Sequence, residues 1–172
     1  PRSANEAWRA SGGAAGAWNG GPARACCRPE LPRFVSDRRT EPGDIVYDPF
    51  LGRGTTMIET ALLGRVPIGC DLNPLSEVLV VPRLSPPTLD VVEARFDEID
   101  LSWEGEVMED LLVFYHPETL SQIRGLKHYL MQRRVDGKLD AVDRWIQMVA
   151  VNRLTGHSPG FFSVYTMPPN QA

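Results

Sequence analysis

Two aspartates and two glycines stand in this chain where a strand-to-helix turn would gather them. The stretch "DPFLGRGTT" runs from Asp48 to Thr56 behind the apolar run "DIVY", and Asp71 follows 17 positions after Gly54. A turn of that kind aims backbone N–H groups and the positive end of a helix dipole at a ligand. Glycines such as Gly52 and Gly54 let the ligand approach the main chain. An acid that closes the next strand takes the two hydroxyls of a ribose. Asp48, beside the turn, repels a pyrophosphate and attracts positive charge. Met57 stands where the nicotinamide fingerprint needs a third glycine. A cationic nucleoside, S-adenosylmethionine, is therefore the expected cofactor, and a dinucleotide is not.

The elements needed to position these residues are legible around them. A strand is expected over 44–48. "TTMIETALLG" reads as a helix with Met57, Ile58, Ala61 and Leu62 on one face, stopped by Gly64. "RVPIGCD" is the second strand, with Pro67 at an edge or a strand start. Strand, glycine turn, helix and strand make a parallel α/β unit. Ahead of it, "PELPRFVSDRR" offers a short helix with Leu31, Phe34 and Val35 on one side, and residues 1–29 read as a loosely ordered lead-in carrying Trp8 and Trp18.

Beyond residue 84 the pattern is helical. "SPPTLDVVEARFDEI" places Leu89, Val92, Phe96 and Ile99 at helical spacing, with Ser85 as its cap and Pro86 in its first turn. "HPETLSQIRGLKHYLMQRR" repeats the pattern with Leu120, Ile123, Leu126 and Leu130. "KLDAVDRWIQMVAVNRL" does so with Leu139, Val142, Ile146 and Val149. The last two are expected as an antiparallel pair joined at "VDGK". The chain thus divides into the lead-in, an α/β portion over 30–84, a helical segment over 85–155 and an irregular tail over 156–172.

"DPFLGRGTT", followed by "ALLGR" and "GCDLNPL", resembles the cofactor motifs of the S-adenosylmethionine-dependent DNA amino-methyltransferases, which modify adenine N6 or cytosine N4. The match covers roughly residues 30–84. The resemblance implies a partial Rossmann-like methyltransferase sheet followed by a helical insertion. It places Asp48, Pro49, Phe50, Gly52, Gly54, Thr55 and Thr56 along the methionine and ribose side of the cofactor. Asp71 would then hold the ribose hydroxyls, with Leu72 and Asn73 beside the adenine. Double-stranded DNA is the implied partner of the full-length protein. An RNA guanine N2-methyltransferase is an alternative, because its first motif also reads Asp-Pro-Phe before glycines. A non-catalytic cofactor-binding subunit that completes a methyltransferase in trans is another.

Amino methylation in that family uses Asp, Asn or Ser, then Pro-Pro, then an aromatic that stacks on a base rotated out of the duplex. "SPPT" at Ser85 to Thr88 lacks the aromatic and reads better as a helix start. "MPPN" at Met167 to Asn170 lacks both the acceptor and the platform. No catalytic residue is assigned in this chain; methylation at cytosine C5 would instead need a cysteine nucleophile following proline, and no Pro-Cys dipeptide occurs in it. The expectation is the cofactor side of a longer enzyme, completed by a C-terminal catalytic region or a partner subunit.

With 172 residues, 42% of them hydrophobic and 23% charged, the composition suits a soluble globular chain expected in the cytoplasm. No run approaches the length of a membrane span. The three cysteines and three histidines fall into no metal-ligand spacing. Cys70, ending an apolar run, reads as a buried thiol. A net charge of -4 does not advertise nucleic-acid binding by the whole chain. Arg124, Lys127, Arg133 and Arg134 nevertheless form a basic cluster expected to reach DNA phosphates.

Overall fold

The computed structural model describes residues 28–105 and 109–154. Trp8, Trp18, Cys26, Cys27 and the "MPPN" stretch, with the lead-in and tail that hold them, lie outside the described residues. The chain divides into two compact units at the Pro86–Pro87 junction. The described elements are mostly helical, with one small parallel sheet, so the class is α/β. No described helix is long and apolar enough to cross a membrane.

The first unit holds α1 (Glu30–Arg39), β1 (Ile45–Asp48), α2 (Thr55–Leu62), β2 (Val66–Gly69) and α3 (Leu75–Leu84). β1 and β2 pair in parallel, in a register that sets Ile45 against Val66 and Asp48 against Gly69. The connection between them is α2, whose Met57 and Ile58 are buried together with Leu79 and Val80 of α3. α2 packs against both strands and against α1 and α3, which makes it the centre of this unit. Burial of such side chains contributes about 1.5–3 kcal/mol each, so this stripe holds the strand-to-helix turn in place.

Arg65, from the "ALLGR" stretch, is a second brace. Its buried guanidinium donates to the Thr40 hydroxyl and carbonyl at the end of α1 and to the Leu63 carbonyl at the end of α2. A cation at two helix C-termini satisfies carbonyls that have no helical partner and opposes the negative ends of both dipoles.

Several expectations change here. α3 was not anticipated. Its buried residues Ser76, Leu79 and Val80 lie at helical spacing, but Pro82 inside the helix disguised the pattern. Ser85 therefore ends α3 and does not cap the following helix; Thr88 occupies that N-cap position without a side-chain cap bond. Leu31, Phe34 and Val35 do not form a buried stripe and stay about half exposed, with Arg38 lying over the Phe34 ring. On the sheet, Ile45, Tyr47, Val66 and Ile68 share one face by register and are all exposed.

The second unit holds α4 (Leu89–Asp97), a 3-10 turn (Glu109–Val113), α5 (Pro117–Val135) and α6 (Ala141–Arg153). Pro117 opens α5 at the position where its missing N–H costs nothing. Asp140 caps α6: its carboxylate accepts from the N–H groups of Val142 and Asp143, while Asp143 reaches back to the Asp140 N–H. The helix accordingly starts at Ala141, three residues later than "KLDAVD" suggested. α6 takes its helix packing from α4, and its link to α5 is made of charged side chains at the joint between them.

That joint is a closed ionic cluster. Asp143 is fully buried and accepts from Arg95 of α4 at 2.7 Å, from Arg133 of α5, and from the Tyr129 hydroxyl at 3.3 Å. Arg95 and Arg133 also reach Asp140. Burial alone would raise the Asp140 carboxyl, but the Asp143 N–H and the Arg95 guanidinium outweigh it and hold the group below the usual carboxylate range. Asp140 and Asp143 balance the two guanidiniums in charge, and the exposed Glu98 adds a third carboxylate beside Arg95 at 3.5 Å. The apolar stripe expected on α4 is correspondingly thin: Leu89 and Phe96 are exposed, and Ile99 beyond the helix is the member that is buried.

Candidate functional site

β1 delivers Asp48 to the end of the sheet, and two loops meet there. The Asp48 carbonyl accepts the Cys70 N–H at 3.1 Å, and the Cys70 carbonyl accepts the Leu51 N–H at 3.0 Å. These bonds carry the strand ladder one step past β2 and close the turn after β1 onto the loop after β2. The Asp48 carboxylate bends back to accept the Phe50 N–H at 2.9 Å, an aspartate turn that fixes Pro49 and Phe50.

Within the turn, Gly52 and Gly54 both adopt positive φ, at 52° and 80°. Gly54 is the N-cap of α2 and bonds the Leu51 carbonyl at 2.8 Å. The two glycines differ in what surrounds them. A Cβ on Gly54 would overlap the side chain of Val80, so α3 rests directly on this residue. A Cβ on Gly52 would meet nothing closer than the Phe50 carbonyl at 3.8 Å, which leaves open space over its backbone. That space is what a ligand in close approach requires. Thr55 is buried and Thr56 half-buried where α2 begins.

Asp71 ties the two loops together. One carboxylate oxygen accepts the Gly52 N–H at 2.6 Å, and the other accepts the Asn73 N–H at 2.8 Å. The N–H groups of Asn73 and Gly52, helped by the Ser76 hydroxyl, hold the Asp71 carboxyl below its ordinary value. It therefore stays ionised at neutral pH and acts purely as a hydrogen-bond acceptor. Asn73 in turn accepts the Leu75 N–H at 3.0 Å and leads the chain into α3. Leu72 is fully exposed and Phe50 is 86% exposed, two apolar side chains standing on the loops that Asp71 joins.

Asp48 at the end of β1, Pro49, Phe50, Gly52 and Gly54 in the turn, Thr55 and Thr56 at the start of α2, and Asp71, Leu72 and Asn73 after β2 are thus gathered by main-chain and carboxylate bonds at one end of the sheet. Cys70 is exposed between them, contrary to the buried thiol expected, with its sulfur 3.1 Å from the Tyr47 hydroxyl. The expected basic cluster does not survive intact. Arg133 is engaged by Asp143 and Asp140, and Arg124 lies 5.0 Å over the Trp103 ring, while Lys127 and Arg134 are exposed.

Residues 23–77 match the family model described as DNA methylase. Over 56 residues the chain is 34% identical to the Type II methyltransferase M.MjaII of Methanocaldococcus jannaschii, covering 33% of this chain and 11% of that protein. Over 62 residues it is 34% identical to the Type II methyltransferase M.BsoBI of Geobacillus stearothermophilus, covering 36% and 11%. This stretch, about a third of the chain, is similar to the DNA amino-methyltransferase family. The chain is also similar to a tRNA (guanine(10)-N2)-dimethyltransferase of Methanocaldococcus jannaschii, at 47% identity over 49 residues, 28% of this chain and 14% of that protein. The chain thus spans only about a tenth to a seventh of the length of these relatives. No solved structure matches it significantly.

Proposed function

We propose that this chain forms the S-adenosylmethionine site of a DNA methyltransferase that modifies adenine N6 or cytosine N4, within a Rossmann-like sheet completed by further polypeptide. The observation that carries the reading is the Asp71 carboxylate fixed to the Gly52 N–H, beside a positive-φ turn with open space above it. Asp71 holds the ribose hydroxyls, Leu72 and Asn73 flank the adenine, and Asp48 with the turn from Pro49 to Thr56 faces the cationic methionine end. The cofactor supplies an electrophilic methyl on sulfur. The chain's own residues bind and orient it so that an exocyclic amine can attack in line. Hydrogen-bond acceptors for that amine come from a Pro-Pro-aromatic segment in a C-terminal catalytic region or a partner subunit.

The tRNA-modifying relative favours a second reading, methylation of a guanine N2 in RNA, because its identity to this chain is higher than that of the two DNA enzymes. Transfer of labelled methyl by the intact protein separates the two. Counts in duplex DNA and none in tRNA are expected; the reverse result replaces the first reading with the second. At the cofactor step, Asp71→Ala is expected to weaken S-adenosylmethionine binding at least about tenfold by calorimetry, since charge-assisted bonds are lost on both loops. Unchanged affinity would remove Asp71 from the site.

A further inference from the structure

Arg53 sits between the two glycines of the turn, and Arg83 lies in the last turn of α3. Val80 presses on Gly54, and Arg83 is three residues further along the same helical face. Both arginines are half-buried. Neither has an ion pair or a side-chain hydrogen bond among the described residues, where Arg95 and Arg133 have several. Burial pushes the Arg83 guanidinium down, and the positive charge of Arg53 pushes it the same way, so the two groups are near enough to repel. A partly desolvated like-charge pair is unfavourable until an anion enters between its members. The mixed charges carried near the turn, Asp48 and two guanidiniums, match a zwitterion better than a simple cation.

We infer that Arg53 and Arg83 form a carboxylate subsite at the glycine turn that takes the methionine carboxylate of S-adenosylmethionine, while Asp48 takes the adjoining positive charge. This rests on the cofactor reading above and adds to it the residues that recognise the amino-acid end. Guanidinium matches a carboxylate in geometry as well as charge, with two parallel N–H donors for two oxygens. A cofactor without that carboxylate would leave the pair as repulsive as it is alone.

The test is titration calorimetry of the intact protein with S-adenosylmethionine and with its decarboxylated analogue, which keeps the sulfonium and the ammonium. The wild type should bind the carboxylated form about tenfold or more tightly. In R53Q/R83Q, and more mildly in R83Q alone, S-adenosylmethionine affinity should fall while the analogue's is held, so that the ratio approaches one. R83K should keep part of the preference. If a variant weakens both ligands equally, the arginines only support the fold and the inference fails. If it leaves the ratio unchanged and instead lowers DNA affinity and its salt slope by about one, the pair binds phosphate and the inference fails in that way. A wild type that binds neither ligand removes the cofactor reading itself, a result distinct from an altered ratio.

Discussion

Asp143→Ala is expected to destabilise the second unit by about 3–5 kcal/mol, the usual cost of deleting one member of a buried ionic cluster. The carboxylate is fully buried and is shared by Arg95 and Arg133, from the two helices that precede it in sequence. Its removal leaves two guanidiniums facing each other with only the half-exposed Asp140 between them, and it breaks the capping box of α6. Denaturant unfolding followed by far-ultraviolet circular dichroism reads the change as a lower midpoint. Asp143→Asn keeps the shape and some hydrogen bonds and should fall between alanine and wild type. A loss below about 1 kcal/mol, the level of a surface ion pair, would show that the cluster is not what joins α5 to α6.

Gly54→Ala is expected to cost about 2–5 kcal/mol and to abolish the proposed cofactor binding. Two separate penalties meet at this residue. A Cβ at φ 80° is strained whatever surrounds it, by about 1–2 kcal/mol. The same Cβ overlaps Val80, and overpacking a filled core costs about 1–3 kcal/mol. Val80→Ala in the Gly54→Ala background should recover part of the stability, because it relieves the overlap and leaves the backbone strain. Absence of any recovery would mean that Val80 is not what limits the turn. Gly52→Ala has no such neighbour, so its effect should be smaller on stability and still large on ligand binding.

The turn and its flanking strands were readable because their signals are local. A β-like apolar run, two glycines within three positions and a helical stripe at Met57 and Ile58 each need only a few neighbouring residues to recognise. The parallel pairing followed from the helix that separates the strands. α3 escaped notice because Pro82 argues against a helix interior, while the compensating contact of Val80 with Gly54 is made across the fold. The Asp140–Asp143 capping box was present in the sequence as an acid three residues after an acid, but alternating charge at "VDGKLDAVD" drew the helix start too early. Arg95 and Asp143 are 48 residues apart, and no periodicity marks such a pair. The apolar stripes of α1 and α4 showed the opposite failure. Helical spacing placed Leu31, Phe34, Leu89 and Phe96 on faces, but spacing alone does not determine what covers a face.

The double grip of Asp71 on Gly52 and Asn73 means that both loops are set by the chain's own bonds before any ligand arrives. Their loss of conformational freedom accompanies folding of the chain, so little of it is left to oppose association. On the proposed reading, such a preorganised site would engage its ligand in a lock-and-key manner, without a slow rearrangement to limit the rate of capture.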